Sequence, residues 1–225
     1  MQLEKSKPIN RGMVTGLTKG FTKTQGSLSQ KADTSKPKNE LLSIDTKEAK
    51  RFLKLIDPNG LWNFQTFLEK DLEPEKGKTY GYYIYASDKP ETFERAAKEL
   101  ISKNKSRACI SFCVNECDGP RNEDNIVRIR AFYVDADEEY QDHPFKSTYP
   151  FHIIVQTSEK SPTQKRFQAY ILINENCPAD LFPKVQEALA KKFCPKAPDL
   201  HTKKPSHPMR LPGFLHQKGK PFQVR

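Results

Sequence analysis

The segment AFYVDADE, residues 131–138, joins a short apolar run to two aspartates separated by one small residue. Side chains at positions i and i+2 of a β-strand point to the same side, so we expect Asp135 and Asp137 to project together while Ala136 points away. Two neighbouring carboxylates repel each other, and the pKa of one rises unless a cation lies between them. The segment therefore predicts a buried strand ending at a divalent metal site. The alternative is a solvated acidic turn, which the following acidic residues also fit.

The distribution of charge favours the metal interpretation. The net charge is +10 and the sequence pI is about 9.3, but residues 191–225 hold nine basic residues and one acidic residue, whereas residues 47–190 are nearly neutral. Hard divalent ions such as Mg²⁺ or Mn²⁺ bind carboxylate oxygens and keep open positions for substrate phosphates. Two carboxylates opposite a basic segment are therefore the arrangement that nucleotidyl transfer requires.

Hydrophobic periodicity on both sides of this segment predicts helix, strand, helix, four strands, helix and a basic strand-and-loop tail. The sequences that carry these elements are SIDTKEAKRFLKLIDPNG, LWNFQTFLEK, KPETFERAAKELISKN, RACISFCVNE, IVRIRAFYVDADEE, FHIIVQTS, RFQAYILIN, ADLFPKVQEALAKKF, HPMRLPGFLHQKG and KPFQVR, with a further short strand or loop in TYGYYIYASD. This order is typical of an α+β domain with a largely antiparallel sheet and helices on one face. The chain has no GxGxxG or GxxxxGK[ST] motif that would favour a doubly wound nucleotide fold.

Composition divides the chain into two parts. Residues 1–45 are rich in Lys, Ser, Thr, Gly and Gln without a sustained apolar period, which predicts a flexible basic arm before a folded domain at 46–225. The N-terminus lacks the features of a signal peptide, and no apolar run approaches the length of a membrane span, so we expect a reduced cytoplasmic protein with no membrane partner. Cys109, Cys113 and Cys117 lack the CxxC and histidine spacing of zinc sites.

Four motifs in order resemble the replication primase domain of plasmids and phages, a branch of the archaeo-eukaryotic primase, or primase-polymerase, superfamily. They are RIRAFYVDADEE, FHIIVQTS, RFQAYILI and HPMRLPGFLHQKGKPFQVR. The resemblance covers residues 105–225 well and 46–104 weakly. It implies an RNA-recognition-motif-like catalytic sheet beside a smaller α/β module, acting on single-stranded DNA with nucleoside triphosphates as substrates.

The resemblance also implies roles for individual residues. Asp135 and Asp137 correspond to the first two ligands of a pair of Mg²⁺ or Mn²⁺ ions. Six further positions correspond to nucleotide-binding residues: Ser158, Gln168, Tyr170, Arg210, His216 and Lys218. Lys220 is a further basic candidate for phosphate contacts, and Tyr170, Phe214 and Phe222 are candidates for stacking on bases.

One position departs from the family pattern. Lys204 occupies the slot in which relatives carry a third metal-binding aspartate, about half a dozen residues before the arginine of RLPGF. Asp199, eleven residues before Arg210, would reach the third-ligand position if the loop contains inserted residues. If Asp199 remains a plain loop acid, we expect either reduced metal affinity and activity, or His201 or His207 near the site instead.

The resulting prediction is a primase-polymerase catalytic domain that makes or extends primers by a two-metal mechanism. The chain ends within a predicted strand, which suggests a fragment of a longer replication protein that also carries a helicase or origin-binding part. The alternative is a non-catalytic module that binds single-stranded nucleic acid and has lost turnover, as Lys204 in the acidic slot would suggest. A rolling-circle relaxase is disfavoured because the chain has no His-apolar-His strand.

Overall fold

Three α-helices and eleven β-strands occur in the computed structural model within the residues that it describes, namely 42–68, 83–145, 151–174 and 177–225. The helices are α1 (Thr46–Ile56), α2 (Phe93–Lys105) and α3 (Phe182–Phe193), and a 3-10 helix spans Leu200–Lys203. The strands are β1 (Phe64–Leu68), β2 (Tyr83–Ala86), β3 (Ala108–Cys113), β4 (Glu116–Cys117), β5 (Ile126–Arg128), β6 (Ala131–Tyr140), β7 (Ile153–Ser161), β8 (Gln164–Leu172), β9 (Pro208–Arg210), β10 (Leu215–His216) and β11 (Phe222–Gln223). Most of the predicted arm, residues 1–41, lies outside the described residues, as does part of the predicted segment 79–88.

Two antiparallel sheets form the framework. One has the strand order β2-β1-β3-β9 and the other has the order β6-β8-β7, while β4-β5 and β10-β11 are small two-stranded ribbons. Every residue of β3 is buried, which fits its position inside the first sheet. The predicted α+β class with antiparallel sheets is therefore confirmed.

Helix α1 joins the two sheets through its apolar face. Its N-cap is Asp45, whose carboxylate accepts hydrogen bonds from the second and third helical N–H groups at 3.0 Å. Phe52 packs edge-on against Phe112 of the first sheet and Tyr170 of the second, each with ring centroids 5.5 Å apart. The backbone N–H of Asp45 also donates to the carbonyl of Gly213 at 2.7 Å, so the helix start is tied to the RLPGF turn.

One predicted strand is divided in the structure. The run IVRIRAFYVDADEE was expected to form one strand, but β5 pairs with β4, and β6 begins only after Arg130. The N–H of Arg130 donates to Asn115 Oδ1 at 2.9 Å, and its buried guanidinium lies 2.9 Å from Asp57 Oδ2 and 4.3 Å from the centre of the Trp62 ring. The prediction of a continuous strand was wrong because this side chain turns inward to an ion pair.

Candidate metal centre

Asp135 and Asp137 lie on the same face of β6, whereas Ala136 is completely buried on the other face. Both aspartates line a cleft of about 260 Å³. The strand does not end at the pair, because β6 continues to Tyr140. The ladder with β8 is regular as far as Ala136 and resumes only at Tyr140, so Asp137 lies in an irregular part of the strand.

Asp199 and His207 lie beside Asp135 in the same cleft. The possible ligand atoms of Asp135, Asp199 and His207 all lie within 4.8 Å of one another, and each of the three side chains is partly buried. The structure thus brings Asp199 beside Asp135, and it brings a histidine to the same point. Two carboxylates and an imidazole at this spacing fit a divalent metal ion.

Lys204 points away from this centre. Its ammonium group lies 3.1 Å from the Glu123 carboxylate, and its backbone N–H donates to the His201 carbonyl at 3.1 Å at the end of the 3-10 helix. The 3-10 helix follows Asp199, whose carboxylate accepts a hydrogen bond from the N–H of His201 at 2.9 Å. These extra residues put Asp199 into the cleft although it lies farther from Arg210 than the family spacing.

The backbone of the 199–207 loop is held by side chains from other elements. Four of its carbonyls accept hydrogen bonds from buried or partly buried donors. The pairs are Gln186 Nε2 to Thr202 O (3.0 Å), Tyr133 OH to Lys204 O (3.1 Å), Asn115 Nδ2 to Pro205 O (2.9 Å) and Arg121 Nη1 to Ser206 O (2.8 Å). Because the four donors come from separate parts of the chain, the loop position depends on the whole fold rather than on its own sequence.

The electrostatics of the cleft favour a bound cation. The pKa of Asp135 is raised to about 7: burial is the largest cause and the negative charges of Asp137 and Asp199 add to it, whereas a hydrogen bond from Gln168 and the charge of Arg210 oppose it. A cation between the carboxylates would offset both the burial and the repulsion.

Burial also lowers the pKa of His207, and the charge of Asp199 opposes this effect. A lowered pKa favours the neutral imidazole at neutral pH, which is the form that binds metal ions.

Gln168 and Tyr170 form a hydrogen-bonded chain behind Asp135. Gln168 Nε2 donates to Asp135 Oδ2 at 3.2 Å, and the Tyr170 hydroxyl donates to Gln168 Oε1 at 3.2 Å. Gln168 lines the cleft, but Tyr170 is completely buried. The prediction that Tyr170 touches a nucleotide is therefore wrong, and Phe214, which is 1% exposed, is equally unable to stack on a base.

Basic residues line the same cleft. Arg210 and His216 both line it, and Arg210 Nη1 donates to Cys109 Sγ at 3.0 Å while His216 Nδ1 lies 2.9 Å from the Thr157 carbonyl. The backbone of Arg210 is fixed by the pairing of β9 with β3, which places it opposite Ser111.

A second cleft of about 360 Å³ adjoins the first and shares His216 and Arg166 with it. The predicted residues Ser158 and Lys218 line this second cleft, together with Lys160 and Lys220. Arg166 was not predicted from the sequence, although its spacing of two residues from Gln168 on one strand puts both on the same face. Its guanidinium lies 3.5 Å from the Asp137 carboxylate.

The cysteines show no zinc geometry among the described residues: Cys113 and Cys117 have their sulfurs 3.7 Å apart, and neither belongs to the cluster around Asp135.

None of the helices in the described part of the chain has the length and hydropathy that a bilayer crossing requires.

No protein-family model and no curated protein matches the sequence. Solved structures do match. The AEP domain of the cyanophage S-2L primase-polymerase aligns with a TM-score of 0.56 and 16% identity over 80% of this chain and 89% of that domain. Primase RepB′ aligns with a TM-score of 0.55 and 15% identity over 80% of this chain and 55% of that chain. The catalytic domain of RepB′ in complex with initiator DNA aligns with a TM-score of 0.52 and 16% identity over 80% of this chain and 82% of that chain. The chain therefore has the fold of these primase domains, as the four motifs predicted.

Proposed function

We propose that the protein is a template-directed nucleotidyltransferase, a primase or primase-polymerase that makes or extends primers on single-stranded DNA. The observation that carries this proposal is the cleft in which Asp135, Asp199 and His207 converge and which Arg210 also lines. The shared fold with primase domains supports the reaction class, and one of those structures is a complex with initiator DNA.

The residues of the cleft fit Mg²⁺ or Mn²⁺. Bound divalent ions would supply Lewis-acid stabilisation of the triphosphate and activation of the attacking 3′-hydroxyl. Asp135 and Asp199 would hold them together with Asp137, which lies on the same strand face and is more exposed than Asp135. Gln168 would keep Asp135 Oδ2 oriented through its 3.2 Å hydrogen bond.

The basic residues would bind the phosphates of the incoming nucleotide. Arg210, His216 and Arg166 line the cleft that contains the carboxylates, and Arg166, whose guanidinium lies 3.5 Å from the Asp137 carboxylate, also lines the adjoining cleft. Lys218 and Lys220 extend positive charge along the second cleft, where a triphosphate or a template backbone would be attracted. Ser158 lies in the same cleft and would contribute a hydroxyl to the polar contacts.

The competing hypothesis is a non-catalytic module that binds single-stranded nucleic acid. Its main support was Lys204 in the slot where an acid was expected. That support is weakened because Lys204 pairs with Glu123, and because the possible ligand atoms of Asp199 and His207 lie within 4.8 Å of those of Asp135. A helicase or origin-binding part in a longer protein stays a prediction.

A direct test incubates the protein with a single-stranded DNA template, Mn²⁺ or Mg²⁺, and labelled ribo- and deoxynucleoside triphosphates. We expect templated products that disappear in the double variant Asp135→Ala, Asp137→Ala, while template binding is retained by both proteins. Absence of product from the parent protein, with template binding that survives the double substitution, would instead support the binding module.

A further inference from the structure

Two cysteines lie side by side outside the cleft that contains the carboxylates. Cys113 is the last residue of β3 and Cys117 is the last residue of β4, and both are free thiols. Their sulfur atoms are 3.7 Å apart. Because a disulfide has an S–S bond of about 2.05 Å, the sulfurs need to approach each other by only about 1.7 Å. A small movement of the bend between the two strands would therefore join them.

The surroundings of the pair make Cys117 the more reactive thiol. The pKa of Cys117 is lowered, chiefly by a hydrogen bond from Cys113 and further by the positive charges of Arg121 and Arg130, although burial opposes these effects. The pKa of Cys113 is raised, because it donates that hydrogen bond and is buried. Cys117 also lines a surface cavity of about 430 Å³ that admits a small oxidant. A thiol with a lowered pKa, cationic neighbours and a route to the surface is typical of redox-sensitive cysteines.

The bend between the two cysteines holds the 199–207 loop. Asn115 lies in this bend, and its buried Nδ2 donates to the Pro205 carbonyl at 2.9 Å. Cys113 itself pairs with Pro208 at the start of β9, directly after the loop. Drawing the sulfurs together would shift the bend, so the loop would lose its present contact with Asn115 and its present position in the cleft.

We propose that Cys113 and Cys117 are a redox-sensitive pair whose disulfide displaces the 199–207 loop and lowers the rate of nucleotidyl transfer. The effect on nucleotidyl transfer rests on the function proposed above, whereas disulfide formation and loop displacement do not depend on that function.

The oxidation balances with hydrogen peroxide as the two-electron oxidant. The Cys117 thiolate attacks one peroxide oxygen and the O–O bond breaks, which gives a sulfenic acid and a hydroxide that takes up the proton lost by the thiol. The Cys113 thiol then attacks the sulfenic sulfur, the S–S bond forms, and the leaving hydroxyl departs as water with the Cys113 proton. Two thiols are oxidised and one peroxide is reduced to two waters. A reducing thiol such as dithiothreitol reverses the change.

The test treats the full chain with hydrogen peroxide and then alkylates the free thiols with iodoacetamide after unfolding. Tandem mass spectrometry identifies the cysteines that escape alkylation, and a parallel sample is first reduced with dithiothreitol. Hydrogen–deuterium exchange of the same samples, without nucleotide or DNA, reports on the 199–207 loop. The variants are Cys113→Ala and Cys117→Ala, and the control is Cys177→Ala, which removes a partly exposed cysteine. Thermal unfolding verifies that each reduced variant is folded.

We expect peroxide to protect Cys113 and Cys117 from alkylation in the parent protein and in Cys177→Ala, and dithiothreitol to restore both thiols. The amides of the 199–207 loop should exchange about fivefold faster or more after oxidation, which is the effect of losing one ordinary hydrogen bond. Dimedone should trap a sulfenic acid at Cys117 in Cys113→Ala, whereas no such adduct should form at Cys113 in Cys117→Ala.

Two results would overturn the proposal. One is alkylation of both cysteines after peroxide treatment of the parent protein, and the other is a disulfide that forms without faster exchange in the loop. If an alanine variant does not fold, the oxidised and reduced parent proteins give the same decision. Failure of the proposed function has a different signature, because a protein that forms no nucleotide product still shows the disulfide and the faster exchange. Where product is formed, oxidation should lower its yield by at least about tenfold, since small displacements of catalytic groups have effects of this size.

Discussion

Gly213, the glycine of the RLPGF motif, should be one of the least replaceable residues of the fold. Its φ is +86°, a region that residues with a Cβ rarely adopt. Its carbonyl accepts from Asp45 at 2.7 Å and its N–H donates to the Val224 carbonyl at 2.8 Å, so the turn is joined to both the start of α1 and the end of the chain. A Cβ at this position would lie 2.1 Å from the Asp45 carbonyl oxygen and 3.0 Å from the Ala49 nitrogen.

The expected cost of Gly213→Ala has two parts. The positive φ costs about 1–2 kcal/mol for a residue with a Cβ, and displacing the start of α1 adds about 1–3 kcal/mol, as overpacking of a close contact typically does. The total of about 4 kcal/mol corresponds to a fall in Tm of about 8–16 °C for a domain of this size. Since the clash is with backbone atoms, a rotamer change cannot relieve it.

Gly219→Ala is the matched control because Gly219 also has a positive φ, +63°, but a Cβ there would meet no atom within 4 Å. It should cost only the conformational part, about 1–2 kcal/mol. Thermal and urea unfolding of both variants give the comparison. Equal destabilisation by the two substitutions would refute the reasoning, because it would mean that contact between α1 and the RLPGF turn contributes nothing beyond backbone conformation.

Two further predictions concern the buried polar groups that support the cleft. Gln186 is completely buried and exchanges hydrogen bonds with both backbone groups of Tyr133, in addition to its bond with the 199–207 loop, so Gln186→Met should lower the free energy of unfolding by about 3 kcal/mol. The control Gln223→Met removes one exposed hydrogen bond and should change the free energy of unfolding by less than about 0.5 kcal/mol in the same urea titration. Similar effects of the two substitutions would contradict this reasoning. For Asp57, burial raises the pKa, but the hydrogen bond from Arg128 and the charge of Arg130 outweigh it and the net pKa is lowered; its stabilising contribution is therefore present above about pH 4 and lost as the pH falls through the folded-state value. Asp57→Asn should lower the free energy of unfolding by about 3 kcal/mol at pH 7, because the buried guanidinium of Arg130 loses this ion-pair partner. The difference in stability from the parent protein should shrink below pH 4. A difference that is constant with pH would show that the ion pair does not contribute as described.

Local pattern was sufficient to predict much of the fold. The helix at α1 followed from its hydrophobic periodicity, and the shared face of Asp135 and Asp137 followed from the two-residue period of a strand. These features depend on residues that are close in sequence. The antiparallel sheet class followed from the order of the elements.

The features that were missed depend on contacts between distant residues. Arg130 was expected to lie within a continuous strand, but its partner Asp57 lies 73 residues away and holds the side chain inward. Tyr170 looked like a stacking aromatic, but the packing of Phe52 from α1 covers it.

The identity of the third metal ligand could not be predicted from the sequence for the same reason. The spacing in sequence placed Lys204 where an acid was expected, and the 3-10 helix that shifts Asp199 into the cleft is held by donors such as Asn115 and Gln186 on separate elements. Single-sequence patterns carry no signal for such pairs, whereas an i, i+2 rule on β8 would have found Arg166.

The most direct test of the proposed active centre compares the yield of templated product from Asp199→Ala, Lys204→Ala and the parent protein. The assay uses single-stranded DNA, Mn²⁺ and labelled nucleotides. The proposed function makes Asp199 a metal ligand, whereas Lys204 lies outside the cleft in an exposed pair with Glu123. We expect the Lys204 variant to retain the product yield of the parent protein and the Asp199 variant to lose at least about 99% of it, by analogy with the loss of an electrostatic catalytic group. Full activity of Asp199→Ala, or loss of activity in a folded Lys204→Ala, would contradict the assignment of the catalytic metal centre to this cleft.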